Sequence, residues 1–191
     1  MVESKADIFG PGSNIGRRLI NNHEQLSEVV KSLQQIGEKV ILVLGTFDLT
    51  HIGHARYLEL AKKLGGIVIV GVDPDEAVKL RKGPRRPLVP LDERLEMLIH
   101  LRHVDIVTVT TDYDEHGITG YELLQKIQPD VFVISEMNDY TPEQLEEIKK
   151  YSKELAIMPQ QAETTTSAKL RLMNIQMVEE AKKRLEELIH F

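Results

Sequence analysis

The sequence predicts an α/β protein built on an open parallel sheet with helices on both faces, and three observations predict it. Apolar, β-branched runs of strand length recur four times, as "KVILVLG", "GGIVIVGV", "VDIVTVT" and "DVFVIS". Each is followed by a segment whose apolar residues return at three and four, the helical spacing. The connections are short, so consecutive strands run parallel with a helix crossing between them.

Taken in order, residues 1–22 carry little periodicity and read as an irregular N-terminal arm. Leu26, Val29, Val30, Leu33 and Ile36 then give a helix over 23–36, closed by Gly37. The first strand, 39–45, is apolar throughout, as a strand covered on both faces must be, and it ends at Gly45. A helix over about 53–64, a strand over 65–72, a helix over 91–101, a strand over 104–110, a helix over 119–127 and a strand over 130–135 follow. Over 141–154, Thr141 is the expected N-cap, Pro142 takes the first helical position and acids fill the first turn. "LAIMP" suggests a short fifth strand. From Ser167 to His190 the leucines and methionines read as one long helix or two. The main domain is thus expected to span 23–171. Residues 172–191 form a helical extension whose Ile175, Val178, Ala181 and Leu185 cover the domain or pair with another subunit.

Composition sets bounds on function. A chain of 191 residues, 41% hydrophobic and 28% charged, can bury a continuous core. No apolar run approaches the ~20 residues that cross a bilayer, and the first residues lack the pattern of a secretory signal, so a soluble cytoplasmic protein with no membrane partner is expected. The absence of cysteine excludes disulfides, thiolate zinc sites and cysteine nucleophiles. A net charge of −6 argues against nucleic-acid binding. Any anionic ligand has to be met by a local basic cluster.

Chemistry concentrates in "GTFDLTHIGH", residues 45–54, which joins the first strand to its helix. A helix N-terminus presents unpaired N–H groups and a positive dipole end, which suits a phosphate. Gly45 lets the backbone approach a ligand. His51 and His54, three apart, project from one side of the first turn, where both can donate to a phosphate. The plainer alternative makes His51 a helix cap and His54 a half-buried core residue. A second feature, "KLRKGPRRP", holds Lys79, Arg81, Lys82, Arg85 and Arg86 in a loop that is either a polyphosphate clamp or a solvated basic stretch. Arg94 in "DERLEML" is either a phosphate ligand or a surface ion-pair partner. In "AETTTSAKLR", one hydroxyl suffices for an N-cap, so Thr165, Thr166 and Ser167 invite a second use, with Arg171 beside them.

"GTFDLTHIGH" resembles the GxFDxxHxGH signature of the HIGH-motif nucleotidyltransferases, the cytidylyltransferase-like superfamily, at every defining position. The resemblance implies a Rossmann-like fold and an enzyme that moves an NMP group from an NTP to a phosphorylated small molecule, releasing pyrophosphate, with Mg²⁺ accompanying ATP or CTP. It implies that His51, His54, Lys82 and Arg94 are catalytic. It implies nucleotide binding by Gly45, Thr46, Phe47, Asp48, Gly53, Asp73, Thr165, Thr166 and Ser167, and acceptor binding by Lys79, Arg85, Glu136, Asn138 and Asp139. No residue is assigned to a metal. A phosphate monoester is already mostly dianionic at pH 7, with a second pKa of about 6, so no catalytic base is assigned either. The KGPxRP phrase and "DYTPEQL" are similar to the adenylyltransferase domains of ADP-heptose synthases, which implies ATP and a sugar 1-phosphate, and relatives of this kind commonly form homodimers. Where those enzymes read KGGDY, this chain reads "ISEMNDY", residues 134–140, which moves substrate choice to that stretch. Cytidylyltransferases acting on polyol or amino-alcohol phosphates, and a non-catalytic nucleotide sensor, are the alternatives. Aminoacyl-tRNA synthetases share the HIGH signature, but no KMSKS-like segment is present.

Overall fold

Strand β1, Val40–Gly45, lies at the centre of the molecule and alternates its side chains between two apolar layers. The computed structural model describes residues 15–136, 140–162 and 166–189. Around β1 the strands β2 (Ile67–Val72), β3 (Ile106–Val109), β4 (Val131–Ser135) and β5 (Glu154–Met158) form one parallel sheet in the order β3-β2-β1-β4-β5. The expected fold class is therefore the one observed, fifth strand included.

The helices are α1 (His23–Gln35), α2 (Ile52–Lys63), α3 (Asp75–Lys82), α4 (Leu91–His100), α5 (Glu122–Ile127), α6 (Pro142–Lys149) and α7 (Thr166–Ile189). One face of the sheet buries Ile41, Val43, Val70 and Val133 under Leu58 and Ala61 of α2 and Leu95 and Leu98 of α4. The other buries Leu42, Ile69 and Phe132 under Leu26 and Val30 of α1, Leu123 and Leu124 of α5 and Ile148 of α6. Period-2 alternation in β1, β2 and β4 thus feeds two separate cores, which is why these strands read as continuous apolar runs.

Three local departures have physical causes. The basic run at 79–87 was expected to be a loop, yet Lys79, Arg81 and Lys82 belong to the last turn of α3, where cations complement the helix dipole. Only Ala77 and Val78 of α3 are buried, too few to show a helical period. Helix α5 starts at Glu122 because Thr119 and Gly120 are used by the preceding loop. Helix α6 stops at Lys149, freeing Glu154 to open β5; Thr141 is its N-cap as expected, and Gln144 completes a capping box with it. The described part of the arm contains a 3-10 turn, Ile15–Arg18, and a bridge from Leu19 to Val107 beside β3.

The chain divides into two compact units, Met1–Gln161 and Ala162–Phe191. The second contains α7, a single helix. No helix among the described residues is long and apolar enough to cross a membrane. The chain runs from β1 to β2 and β3 on one side, then to β4 and β5 on the other. The carboxyl ends of β1 and β4 thus flank the switch point where such sheets bind ligands.

Candidate active site

The turn that leaves β1 is strained. Phe47 and Leu49 have φ of 52° and 48°, the left-handed region, which costs about 1–3 kcal/mol per bulky residue. Gly45 lets the Phe47 ring pack close to the backbone, since a Cβ there would lie 3.1 Å from the ring and press it aside by a few tenths of an ångström. Thr50 Oγ1 donates to the Phe47 carbonyl at 3.0 Å and closes it.

This turn delivers His51 as the N-cap of α2. The Gly53 amide donates to His51 Nδ1 at 3.0 Å, and the His51 amide donates to His54 Nδ1 at 3.3 Å. Both Nδ1 atoms are therefore acceptors, which places the proton of each neutral imidazole on Nε2. The rings sit 4.2 Å apart. Burial first, then the positive fields of His51 and Lys82, push the His54 pKa down to about 4, with Asp48 opposing. His54 is thus a neutral N–H donor at pH 7. The cap reading is the one the geometry shows, with Nδ1 of each ring accepting a backbone amide at the start of α2.

Two carboxylates expected at the nucleotide instead organise protein. Asp48, 3% exposed, accepts the amides of Leu88 and Val89 at 3.1 and 3.0 Å and pairs with Arg86 at 2.7 Å. It pins the loop after α3 against the first turn. Asp73 accepts from Thr46 Oγ1 at 2.9 Å and Thr119 Oγ1 at 2.8 Å, and pairs with Arg81. Arg94 was expected at the phosphates, but it is 1% exposed and its three nitrogens donate to protein. Nε reaches the Val89 carbonyl at 3.1 Å, Nη1 the Thr46 carbonyl, and Nη2 the Asp73 carbonyl at 2.9 Å and the Asp75 carboxylate at 2.7 Å. In this structure it is a strut joining three loops.

Thr46 is where these lines meet, since its hydroxyl donates to Asp73 and accepts from Arg81 at 2.8 Å and Lys82 at 3.2 Å. Burial among protein atoms, then the neighbouring Arg81 and Arg86, lower the Lys82 pKa, while Asp73 and Asp48 oppose. Beside this corner opens a cavity of about 820 Å³ at the carboxyl end of β1, walled by the segment that follows β3. Thr46, Lys82, Asp112, Thr119, Tyr140 and Gln144 line it. Sequence reasoning missed Arg81 as an individual residue and missed the 112–121 wall altogether. The two glycines of "DYDEHGITGY" were the available signal: Gly117 has φ of 74°, and a Cβ on Gly120 would collide with Asp112.

The remaining expected residues are dispersed. Gly53 is buried in the first turn of α2, whereas Lys79 and Arg85 are exposed. Glu136 accepts the Gln160 amide at 2.7 Å, tying the end of β4 to the segment after β5. Thr166 and Ser167 open α7. Asn138, Asp139 and Thr165 lie outside the described residues.

The profile of the cytidylyltransferase-like family matches residues 42–171, from β1 into α7. The chain belongs to the cytidylyltransferase-like family. It is an enzyme domain of the nucleotidyltransferase class. Its similarity to bifunctional protein HldE of Trichlorobacter lovleyi is 38% identity over 65% of this chain and 24% of that one. Against HldE of Vibrio vulnificus it is 41% over 63% and 24%. The resemblance to ADP-heptose synthases is thereby borne out, although the chain spans only about a quarter of the length of these relatives. Among solved structures, the lipopolysaccharide core biosynthesis protein of Thermoplasma volcanium superposes with a TM-score of 0.55 at 23% identity, covering 65% of this chain and 98% of that one. Pantoate-beta-alanine ligase of Francisella tularensis, bound to beta-gamma ATP and beta-alanine, gives 0.56 at 18%, covering 76% and 67%. At these identities the two structures bear on the fold alone.

Proposed function

We propose that this domain transfers an adenylyl group from ATP to a phosphorylated small molecule, with a sugar 1-phosphate as the first acceptor to try. A phosphate oxygen of the acceptor attacks the α-phosphorus in line, and the bond to the bridging oxygen of the β-phosphate breaks. Pyrophosphate leaves. The observation that carries the reading is the double Nδ1 tether of His51 and His54, which supports two imidazole donors held at a helix N-terminus. Donors fixed beforehand need no reorganisation as charge grows on the α-phosphate oxygens and the leaving group. Lys82 supplies positive charge at the junction between this turn and the cavity, and the cavity supports a seat for the acceptor. We also assign Thr165, Thr166 and Ser167 to the triphosphate.

Mg²⁺ belongs to the same proposal. Asp48 and Asp73 are already held by protein donors, and no group of three or more potential ligands occurs among the described residues. The donor set therefore fits an ion brought by the triphosphate and held largely by phosphate oxygens and water. The ion would neutralise charge on the leaving pyrophosphate. A cytoplasmic homodimer completes the reading.

The test incubates the full chain with Mg²⁺, ATP or CTP, and a panel of sugar, polyol and amino-alcohol phosphates. Pyrophosphate release with ATP and a sugar 1-phosphate is expected, and product mass identifies base and acceptor together. Release only with CTP would move the assignment to cytidylyl transfer. Nucleotide binding without release for any pair would make the protein a sensor.

A further inference from the structure

We propose that Phe47 is the positioning residue of His54: its ring, seated by the left-handed turn and by the absence of a Cβ at Gly45, sets the plane of the imidazole and keeps water from its inner face. The inference rests on the reading of His54 as a donor to the transferring phosphoryl group.

The argument begins with a cost. A phenylalanine at φ of 52° occupies a conformation that glycine or asparagine adopts more readily. Here the strained backbone turns the ring inward, where it is 4% exposed and packs in the same core layer as Val43, Leu58 and Leu95. Its centroid stands 5.4 Å from that of His54, with the planes inclined at 53°. That is a tilted aromatic contact, a preferred arrangement for such rings. On its other side the ring fills the space a Cβ on Gly45 would need. Phe47 is thus enclosed by the end of β1 and the start of α2, the two elements that the catalytic turn joins.

The Nδ1 hydrogen bond and the His51 ring, 4.2 Å away, hold the imidazole from the side of the turn. Phe47 supplies the contact from the core, and a ring braced by both neighbours has less freedom to tilt. The charged and titratable groups facing His54 are His51 on its own helix, Lys82 from α3 and Asp48 from the turn. Burial is the largest single influence that keeps His54 neutral, with His51 and Lys82 acting in the same direction and Asp48 against it, and Phe47 is part of that burial. The glycine, the phenylalanine and the second histidine of "GTFDLTHIGH" thus act as one stacked unit.

The experiment uses the full chain with ¹⁵N-histidine labelling, comparing wild type, Phe47→Leu and the control Ile99→Val, which trims the same core layer away from His54. In Phe47→Leu the His54 titration midpoint is expected to rise by roughly 1 pH unit or more as water enters. The Nε2–H tautomer should lose its dominance. On an active substrate pair, kcat should fall ~10-fold or more while the nucleotide KM stays within about twofold. Ile99→Val should leave the midpoint unchanged. If Phe47→Leu shifts neither midpoint nor tautomer and only lowers the melting temperature, Phe47 is a core residue and the proposal falls. Should that variant not fold, Gly45→Ala presses a methyl on the ring and is expected to move the same two readouts. If wild type turns over no substrate pair, the transferase reading fails, while the NMR arm still decides the role of Phe47.

Discussion

His54, the donor in the proposed transfer, also gives the fold a stability that depends on pH. Its folded pKa, about 4, lies below the ordinary histidine value of 6.5, because burial and neighbouring positive charge disfavour the imidazolium. Below pH 6.5 the unfolded chain takes up a proton that the folded chain refuses until about pH 4. The stability this residue contributes is therefore complete above pH 6.5 and is lost as pH falls through that window. Its size is up to about 3 kcal/mol. Urea denaturation at pH 7 and pH 4.5 should show wild type losing more stability than His54→Gln, and equal losses would mean that His54 titrates normally. The pair of histidines was legible in the sequence because the motif is local. The duties of Asp48, Asp73 and Arg94 were not, since their partners lie far along the chain: Leu88 and Val89 for Asp48, Thr119 for Asp73, Thr46 for Arg94. A carboxylate beside a phosphate-binding turn looks the same in a sequence whether it faces ligand or protein.

At the scale of elements, the strands could be read because each faces two apolar layers and is apolar throughout. Helix α3 could not, having two buried residues and a basic last turn. Yet α3 is what carries Arg81 and Lys82 to Thr46. The loop 112–121 was equally silent, because glycines and internal hydrogen bonds hold it together without an apolar period. Asp114 accepts the amides of His116 and Ile118, both at 2.9 Å, and Arg81 donates to the Gly117 carbonyl at 3.2 Å. The loop is therefore a formed wall, joined to the Thr46 corner through Thr119 and Asp73. Thr119→Val removes that link with little change in volume. It should raise the acceptor KM ~10-fold and leave the nucleotide KM within about twofold in steady-state kinetics, if one hydrogen bond to a buried carboxylate is lost. Equal changes in both constants would place the wall at the nucleotide instead.

For the whole molecule, the family match and the compact units divide the chain differently. The match runs to residue 171, whereas the first unit closes at Gln161. Among the described residues, every buried member of the two core layers lies between Ile20 and Met158. The first unit thus carries two apolar layers of its own, and burial of such layers is what drives a sheet of this kind to fold. A chain ending at Gln161 should retain cooperative thermal unfolding, measured by circular dichroism, with a melting temperature within several degrees of the full chain. If Thr165, Thr166 and Ser167 hold the triphosphate, the same chain should lose at least ~10²-fold in pyrophosphate release and bind ATP more weakly by calorimetry, as when several phosphate donors are removed together. Loss of cooperative folding would show that α7 completes the core. Undiminished turnover would remove the hydroxyl run from the site and leave the chemistry to the β1–α2 turn, Lys82 and the cavity beside them.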